Sequence, residues 1–293
     1  MLLKDPKTET LACLVIDDPL LKPKYGYLDY VSLLQEMREH KFFTEIAFIP
    51  WNYRRSDPET VRLFLENMDY LSICVHGCNH VGNEFGGRNY QELVALSSTA
   101  LWRMEQHKKI TGLPYDPVMV FPQGYFSLTA IQALKDRGFF AAFNSTLRAV
   151  GESDPPEIEY QHPATMIYHN FPVFLRRYPK DKALFSQDVQ NGRPIIIVEH
   201  HRAFQKGFKM ITDLVDEING LGNIRWTSLS NIAEYYLGKK TPAYEEGTDL
   251  SSSHLLYQSR VALRRILCEV RDNYIDKSEL LTKAYDKLRH RAS

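Results

Sequence analysis

Aspartate and histidine residues stand in pairs at the ends of three apolar runs of the sequence, as Asp17-Asp18, His76-x-x-x-His80 and His200-His201. Two imidazoles four residues apart lie on one face of a helical turn, so both can reach a single metal ion. Burying two adjacent carboxylates at the end of a strand costs free energy unless a partner compensates their charge, which indicates a functional role. A helix cap or an Asp-Pro turn explains the pair Asp17-Asp18 equally well. A lone His-x-x-x-His pair often occurs by chance, so a metal site is inferred only from the three pairs taken together.

Together these side chains could hydrolyse an amide or an ester. One carboxylate and two imidazoles give a divalent metal three protein ligands and leave room for a water, which is the arrangement of a catalytic site. Such an ion lowers the pKa of the water toward ~7. The second carboxylate could then act as general base, and a further histidine could protonate the leaving group. A thiolate site at Cys74 and Cys78 is a weaker alternative, because Cys74 lies inside an apolar run.

The elements that position these pairs follow a pattern of strand, polar loop and helix that repeats about seven times. Strands are predicted over 11–16, 45–51, 70–75, 118–121, 139–143, 194–199 and 224–229, with weaker candidates at 166–168 and 173–175. Helices are predicted over 30–40, 90–111, 128–137 and 207–220. The pattern indicates an α/β fold with parallel strands, and a barrel is favoured over an open sheet. The pairs, Trp51 and the turn 122–125 should then lie on one face, after the strands' C-terminal ends.

Composition excludes several classes of function. The 293 residues carry 36 Lys+Arg and 36 Asp+Glu, so no net positive charge indicates binding to nucleic acid or to an anionic membrane. No apolar run suits a signal peptide or a membrane span, which predicts a cytoplasmic protein. We assign 1–238 to the barrel and 239–293 to a linker and a C-terminal helical extension. The apolar spacing of that extension predicts packing on the barrel or on a second copy in a homo-oligomer.

Four motifs, in their order along residues 8–237, resemble those of the polysaccharide deacetylase (NodB-homology) family of metal-dependent N-deacetylases. The matching segments are Val15-Ile16-Asp17-Asp18, His76-Gly77-Cys78-Asn79-His80, Phe121-Pro122-Gln123-Gly124-Tyr125 and Ile195-Ile196-Ile197-Val198-Glu199-His200. The resemblance implies a distorted (β/α) barrel of about seven strands. It also implies a zinc-type metal held by Asp18, His76 and His80, with Asp17 as general base and His200 as general acid.

The resemblance further implies how the substrate is held. The turn 121–125 would offer a backbone N–H to the developing oxyanion, so Gly124 and Tyr125 are candidate oxyanion or substrate residues. Trp51 and His201 are further candidates for contact with the substrate. The implied substrate is an N-acetylated sugar. A cytoplasmic member of the family would act on a unit or precursor of a surface polysaccharide such as O-antigen.

The sequence departs from the family pattern in three places. Gly77 stands where the family has Ser or Thr, the third motif lacks its arginine, and the Asp-x-x-Asp-Trp motif is not evident. Arg176 or Arg177 could replace the arginine from another side of the site, although a surface role is equally open. Strand alternation lets only one of His200 and His201 point into the barrel, and we favour His200 because it directly follows the apolar strand.

Two other functions stay open. One is hydrolysis of a different acyl or amide bond on a substrate that is not a sugar. The other is a barrel that has lost turnover and serves as a binding or assembly subunit through its C-terminal helices. The missing arginine favours this last function, whereas the intact Asp17-Asp18 pair weighs against it, since a binding module has no use for an unpaired base beside a metal.

Overall fold

The computed structural model describes residues 9–151, 166–168 and 170–238, and strands and helices alternate along most of them. The strands are β1 (Thr10–Asp17), β2 (Lys24–Tyr25), β3 (Leu28–Asp29), β4 (Thr44–Phe48), β5 (Leu71–His76), β6 (Asp116–Val120), β7 (Ala142–Asn144), β8 (Met166–Tyr168), β9 (Phe171–Leu175), β10 (Ile195–His200) and β11 (Ile224–Trp226). The α-helices are α1 (Tyr30–His40), α2 (Pro58–Leu65), α3 (Tyr90–Thr111), α4 (Leu128–Asp136), α5 (Phe185–Gln190), α6 (Lys209–Asn219) and α7 (Leu229–Leu237). The helices α1 and α3 have the predicted bounds.

Seven of the described strands form a closed ring. Their order is β10-β1-β4-β5-β6-β7-β9, and every neighbouring pair is parallel. Arg177, two residues after β9, forms a parallel bridge with Ile197 of β10. Its N–H donates to Ile196 O, and its carbonyl accepts from Val198 N. The ring is thus closed by a single bridge, and the predicted distorted (β/α) barrel of about seven strands is confirmed.

The barrel has an interior core and an outer core, and β1 contributes to both. All eight residues of β1 are buried, as expected of a strand covered on both faces. Alternate residues from Leu11 to Val15 join the interior cluster, and those from Ala12 to Ile16 join the outer cluster beneath the helices. Leu229 and Ile232 of α7 also belong to the interior cluster, so α7 closes the barrel at the strands' N-terminal ends. The C-terminal ends, where β1 places Asp17, are the opposite end of the barrel.

Some boundaries and one strand direction differ from the prediction. β7 begins at Ala142 rather than 139, because Gly138 ends the preceding turn in left-handed conformation and the chain then needs a short connection. Pro50–Asn52 form a 3-10 helix instead of extending β4, as suits the fixed φ of proline at a helix start. β11 ends at Trp226 because Ser228 caps α7, and β11 pairs with β1 outside the ring. The weaker candidates are strands, but β8 runs antiparallel to β9.

The C-terminal extension over 239–293 and its role in a homo-oligomer lie outside the described residues. Within 9–151, 166–168 and 170–238, no helix is both long enough and apolar enough to span a bilayer. The cytoplasmic location stays a prediction from the sequence.

Candidate metal-binding and catalytic site

Asp17 and Asp18 are adjacent, but their carboxylates have different partners. Asp17 is the buried last residue of β1. Asp18 follows with a φ of 82°, in the left-handed region that Asp tolerates better than most residues. This change of backbone direction lets Asp17 reach Arg176, while Asp18 reaches His76 and His80. The pair is therefore used as two separate carboxylates and does not cap a described helix.

Asp17 is held by a buried guanidinium. Arg176 donates from Nη1 to Oδ1 at 2.7 Å and from Nη2 to Oδ2 at 3.1 Å, and both side chains are almost fully buried. Burial alone would raise the pKa of Asp17, but the charge of Arg176 and then that of His76 hold this pKa below its ordinary value. Arg177 pairs with Asp188 instead. Arg176 thus supplies a guanidinium that the turn 121–125 lacks, and it does so from the end of β9, at the barrel seam.

Asp18, His76 and His80 bring three ligand atoms together. Oδ1 of Asp18 lies 3.0 Å from Nε2 of His80 and 3.4 Å from Nε2 of His76. The three ligand atoms all lie within 4.8 Å of one another. Ligand atoms ~2.1 Å from a tetrahedral ion are ~3.4 Å apart, so the spacing suits one divalent metal.

The protonation and burial of these groups also fit a metal. Nδ1 of His76 lies 2.9 Å from Val120 O, and because a carbonyl only accepts, Nδ1 carries a proton and Nε2 is the nitrogen that a metal could bind. Oδ1 of Asp18 is buried and accepts no hydrogen bond from the described residues, as expected of an atom that a cation would satisfy. Burial alone would raise the pKa of Asp18, but positive charge on His80 and then on His76, when these rings are protonated, holds it well below its ordinary value.

The segment from His76 to His80 is not the helical turn that its spacing suggests. His76 ends β5, and both Gly77 (φ 62°) and His80 (φ 56°) have left-handed backbone conformations. The two imidazole rings nevertheless meet, with centroids 4.8 Å apart. The helical interpretation is wrong because contacts from elsewhere in the chain, and not the spacing, shape this loop.

Two buried charged residues, Glu84 and Arg103, make those contacts. The carboxylate of Glu84 accepts hydrogen bonds from the loop's backbone N–H groups, and the guanidinium of Arg103 bonds to Cys78 and Asn79. The sequence carries no motif that marks either residue. Glu84 follows in a polar loop, and Arg103 is one of several charges on the long helix α3.

The turn after β6 has the backbone N–H groups of Gly124 and Tyr125 already bonded. Pro122–Gly124 form a 3-10 helix in which Gln123 and Gly124 have positive φ values. The N–H of Tyr125 donates to Pro122 O at 3.3 Å, and the N–H of Gly124 donates to Phe121 O at 3.2 Å. The side chain of Tyr125 is half exposed. An oxyanion role for Tyr125 therefore requires its N–H to leave this long bond.

His200 and His201 separate as strand alternation predicts. His200 pairs in register with Asp17 across β1 and β10, so both side chains lie on the interior side of the sheet. His201 is buried away from them against the β2–β3 hairpin. Its ring stacks on Tyr27 at 6.3 Å and meets Tyr25 edge-on at 5.3 Å. The structure thus brings His200 to Asp17 and packs His201 as part of the core.

The remaining candidates lie behind the loop rather than among the metal ligands. Arg103 stacks over Trp51 at 4.9 Å, and Trp51 N donates to Cys78 O at 3.1 Å. Burial raises the pKa of the Cys78 thiol to about 12, and burial also raises that of Cys74 well above its ordinary value. Both cysteines therefore stay protonated, which weighs against the thiolate alternative.

No family model matches the sequence, and no curated protein matches it either. Solved structures do. The crystal structure of a Mycobacterium smegmatis protein assigned to the polysaccharide deacetylases is similar, with a TM-score of 0.53, 16% identity, and coverage of 84% of this chain and 96% of that one. The T48 deacetylase with substrate gives a TM-score of 0.49, 14% identity and coverage of 82% and 99%. A family 4 carbohydrate esterase pseudoenzyme from Bacillus anthracis gives a TM-score of 0.44 and 9% identity, with coverage of 78% of this chain and 66% of that one. The Mycobacterium smegmatis structure, whose TM-score is above 0.5, shows that the chain has the polysaccharide deacetylase (NodB-homology) fold that its motif order predicts.

Proposed function

We propose that this chain is a metal-dependent deacetylase that removes the acetyl group from an N-acetylated sugar. The observation that carries the proposal is the placement of two differently held carboxylates at one end of the barrel. Asp18 joins His76 and His80 in a three-ligand cluster, while Asp17 beside it is fixed by Arg176. The fold shared with polysaccharide deacetylases supports the reaction class.

Each residue has a chemical role in this proposal. Asp18, His76 and His80 would hold a divalent ion, of which zinc suits the donor set best. That ion would polarise the acetyl carbonyl and acidify a water when bound. Asp17, ionised at neutral pH, would take the proton of the attacking water, and Arg176 would keep its carboxylate in place. His200, in register with Asp17, would protonate the leaving amine.

Gly124, Tyr125, Trp51 and His201 have a less direct relation to the reaction. Tyr125 is exposed at the turn after β6 and could contact the sugar. Trp51 and His201 pack against Arg103 and the β2–β3 hairpin, so we propose that they support the site's walls. A role in making a precursor of a surface polysaccharide such as O-antigen rests on the family resemblance alone.

A barrel that binds metal without turnover is the second candidate. The bonded N–H of Tyr125 favours it, because an oxyanion donor is then missing. The bidentate Arg176–Asp17 pair weighs against it, since it keeps a buried base ionised beside the ligand cluster.

Metal content and acetate release separate these functions. Purified protein loaded with zinc should contain about one ion per chain, and the variants Asp18→Asn and His76→Ala should lose it. Acetate is then measured on N-acetylated sugars, O-acetylated sugars and N-acetylated amines that are not sugars, with Asp17→Asn as a matched variant. We expect acetate from the N-acetylated sugars and its loss in Asp17→Asn.

Each other outcome points to a different function. Acetate from the amines that are not sugars, with none from sugars, would assign another amide substrate. Zinc bound without acetate from any substrate would assign the barrel without turnover. Protein that holds no zinc after soaking would refute the proposal.

A further inference from the structure

The carboxylate of Glu84 lies at the centre of the loop that joins the two histidines. Its Oε2 accepts from Cys78 N at 3.0 Å and from His80 N at 3.1 Å, and its Oε1 accepts from Asn79 N at 2.9 Å. The side chain is 1% exposed. Three consecutive N–H groups that converge on one carboxylate form the same kind of concave donor set that binds anions elsewhere. Glu84 therefore determines the path of the backbone that carries His80.

The same carboxylate explains why residue 77 is a glycine. A Cβ at Gly77 would lie 2.3 Å from Pro122 Cγ and 2.6 Å from Glu84 Oε2, closer than real side chains allow. Gly77 also has a φ of 62°, which disfavours other residues. The hydroxyl residue that the family pattern has at this place would collide with Glu84. The carboxylate of Glu84 thus occupies the space that a side chain at position 77 would need.

Arg103 holds the loop from the opposite side. It donates to Cys78 O at 3.1 Å and to Asn79 Oδ1 at 2.7 Å, and its guanidinium stacks on Trp51. Glu84 thus bonds the loop's N–H groups, while Arg103 bonds its carbonyl and amide oxygens. Neither side chain reaches the cluster of Asp18 and the histidines as a ligand.

We propose that Glu84 is a positioning residue for the metal, which fixes His80 against Asp18 and His76 through the backbone of 78–80. Arg103 assists it from α3. The inference rests on the proposed metal site but not on the identity of the substrate. Residues that orient metal ligands typically change metal affinity about 10- to 100-fold when replaced.

The test compares two buried glutamates. Glu84→Gln keeps the size of the side chain but turns one acceptor into an NH₂ group that faces backbone N–H. The control is Glu45→Gln. Glu45 is also fully buried and accepts from a backbone N–H, that of Leu229 at 2.6 Å, but at the other end of the barrel. Zinc affinity is measured by competition with a chromophoric chelator, and stability by thermal unfolding of the apo proteins.

We expect Glu84→Gln to bind zinc about 10- to 100-fold more weakly than wild type, whereas Glu45→Gln keeps the wild-type affinity. Any activity of Glu84→Gln should recover as zinc is raised, and thermal unfolding of the apo protein shows whether the variant is folded at the assay temperature. Equal zinc affinity in wild type and Glu84→Gln would overturn the inference while leaving the proposed function intact. A wild type that binds no zinc would overturn both.

A second pair of variants serves if Glu84→Gln does not fold. Glu84→Asp keeps the charge but shortens the reach to the loop, and Arg103→Met keeps a long unbranched side chain but removes the Nη1 donor that bonds both Cys78 and Asn79. Weaker zinc binding in both supports the inference. Wild-type affinity in both, in folded protein, contradicts it.

Discussion

Replacing Arg176 by Gln should raise the pKa of the proposed base. Arg176 is the largest favourable influence on the ionised form of Asp17, and its removal leaves burial, which acts in the opposite direction, as the dominant influence. An arginine beside an aspartate typically lowers its pKa by about 1–3 units. The acidic limb of the pH profile of kcat/KM should therefore move up by about 1–3 units, with activity retained at higher pH.

The same substitution should change how stability depends on pH. In the wild type the pKa of Asp17 is lowered in the folded state, so the stabilisation is present above the unfolded pKa of about 3.9 and is lost as pH falls through the folded value. In Arg176→Gln the folded pKa lies above the unfolded one, so stability is instead lost as pH rises. Breaking a buried pair costs about 3–5 kcal/mol when the remaining charge stays ionised. The deficit should thus be larger at pH 7 than at pH 4.

The neighbouring arginine provides the matched control. Arg177→Gln breaks the Arg177–Asp188 pair, which is partly buried and does not contact Asp17. Both variants are followed by kcat/KM on the best substrate of the acetate panel and by denaturant unfolding from pH 4 to 8. An acidic limb that does not move in Arg176→Gln, or that moves equally in Arg177→Gln, would refute the assignment of Asp17 as a base held by Arg176.

Three further predictions follow from other parts of the molecule. His200→Gln should lower kcat on N-acetylated sugar by about 10²–10⁴, and much less on p-nitrophenyl acetate, whose leaving group needs no proton; equal losses on both would argue against an acid. Glu45→Gln should lose less stability than wild type as pH rises from about 4 to 8. Burial and then Asp116 hold the pKa of Glu45 well above its ordinary value, so the folded wild type keeps a proton that the unfolded chain releases. Parallel curves of unfolding free energy against pH, from denaturant unfolding, would contradict this. Zinc at about 100 times its Kd should stabilise the folded chain by about 2.7 kcal/mol, a chelator should remove that gain, and Asp18→Asn should show no change in thermal unfolding with either.

The barrel was predictable because its signals are local. Continuous apolar runs such as 11–16 and 194–199 read as strands covered on both faces, and the helices over 30–40 and 90–111 have apolar spacing and clear ends. Polar residues at the ends of such runs then had to share one face. The sequence pattern predicts the start of β7 too early, because the aromatic residues Phe139 and Phe140 have strand propensity but lie in the connection before Ala142.

The loop that carries His80 was not predictable from the same signals. Spacing alone cannot distinguish a helical turn from a loop of left-handed residues. The loop conformation is stabilised by Glu84, whose carboxylate accepts hydrogen bonds from three N–H groups, and by Arg103 of α3, which donates to Asn79. Such contacts depend on tertiary packing, and each involves a residue type that is common on surfaces.

The position of Arg176 shows how a missing motif residue can be present in the structure. A motif search looks for the arginine in the turn after β6, where Phe121–Tyr125 has none. In the barrel, the strand ends meet at one rim, so a guanidinium can reach Asp17 from any neighbouring strand. Arg176 reaches Asp17 from the segment that follows β9, where the barrel closes. Its backbone N–H donates to Asn144 O, and the N–H of Arg177 donates to Ile196 O of β10. The closure of the ring, through the backbone of Arg177, and the ionisation of the proposed base, through the side chain of Arg176, therefore come from adjacent residues with separate roles.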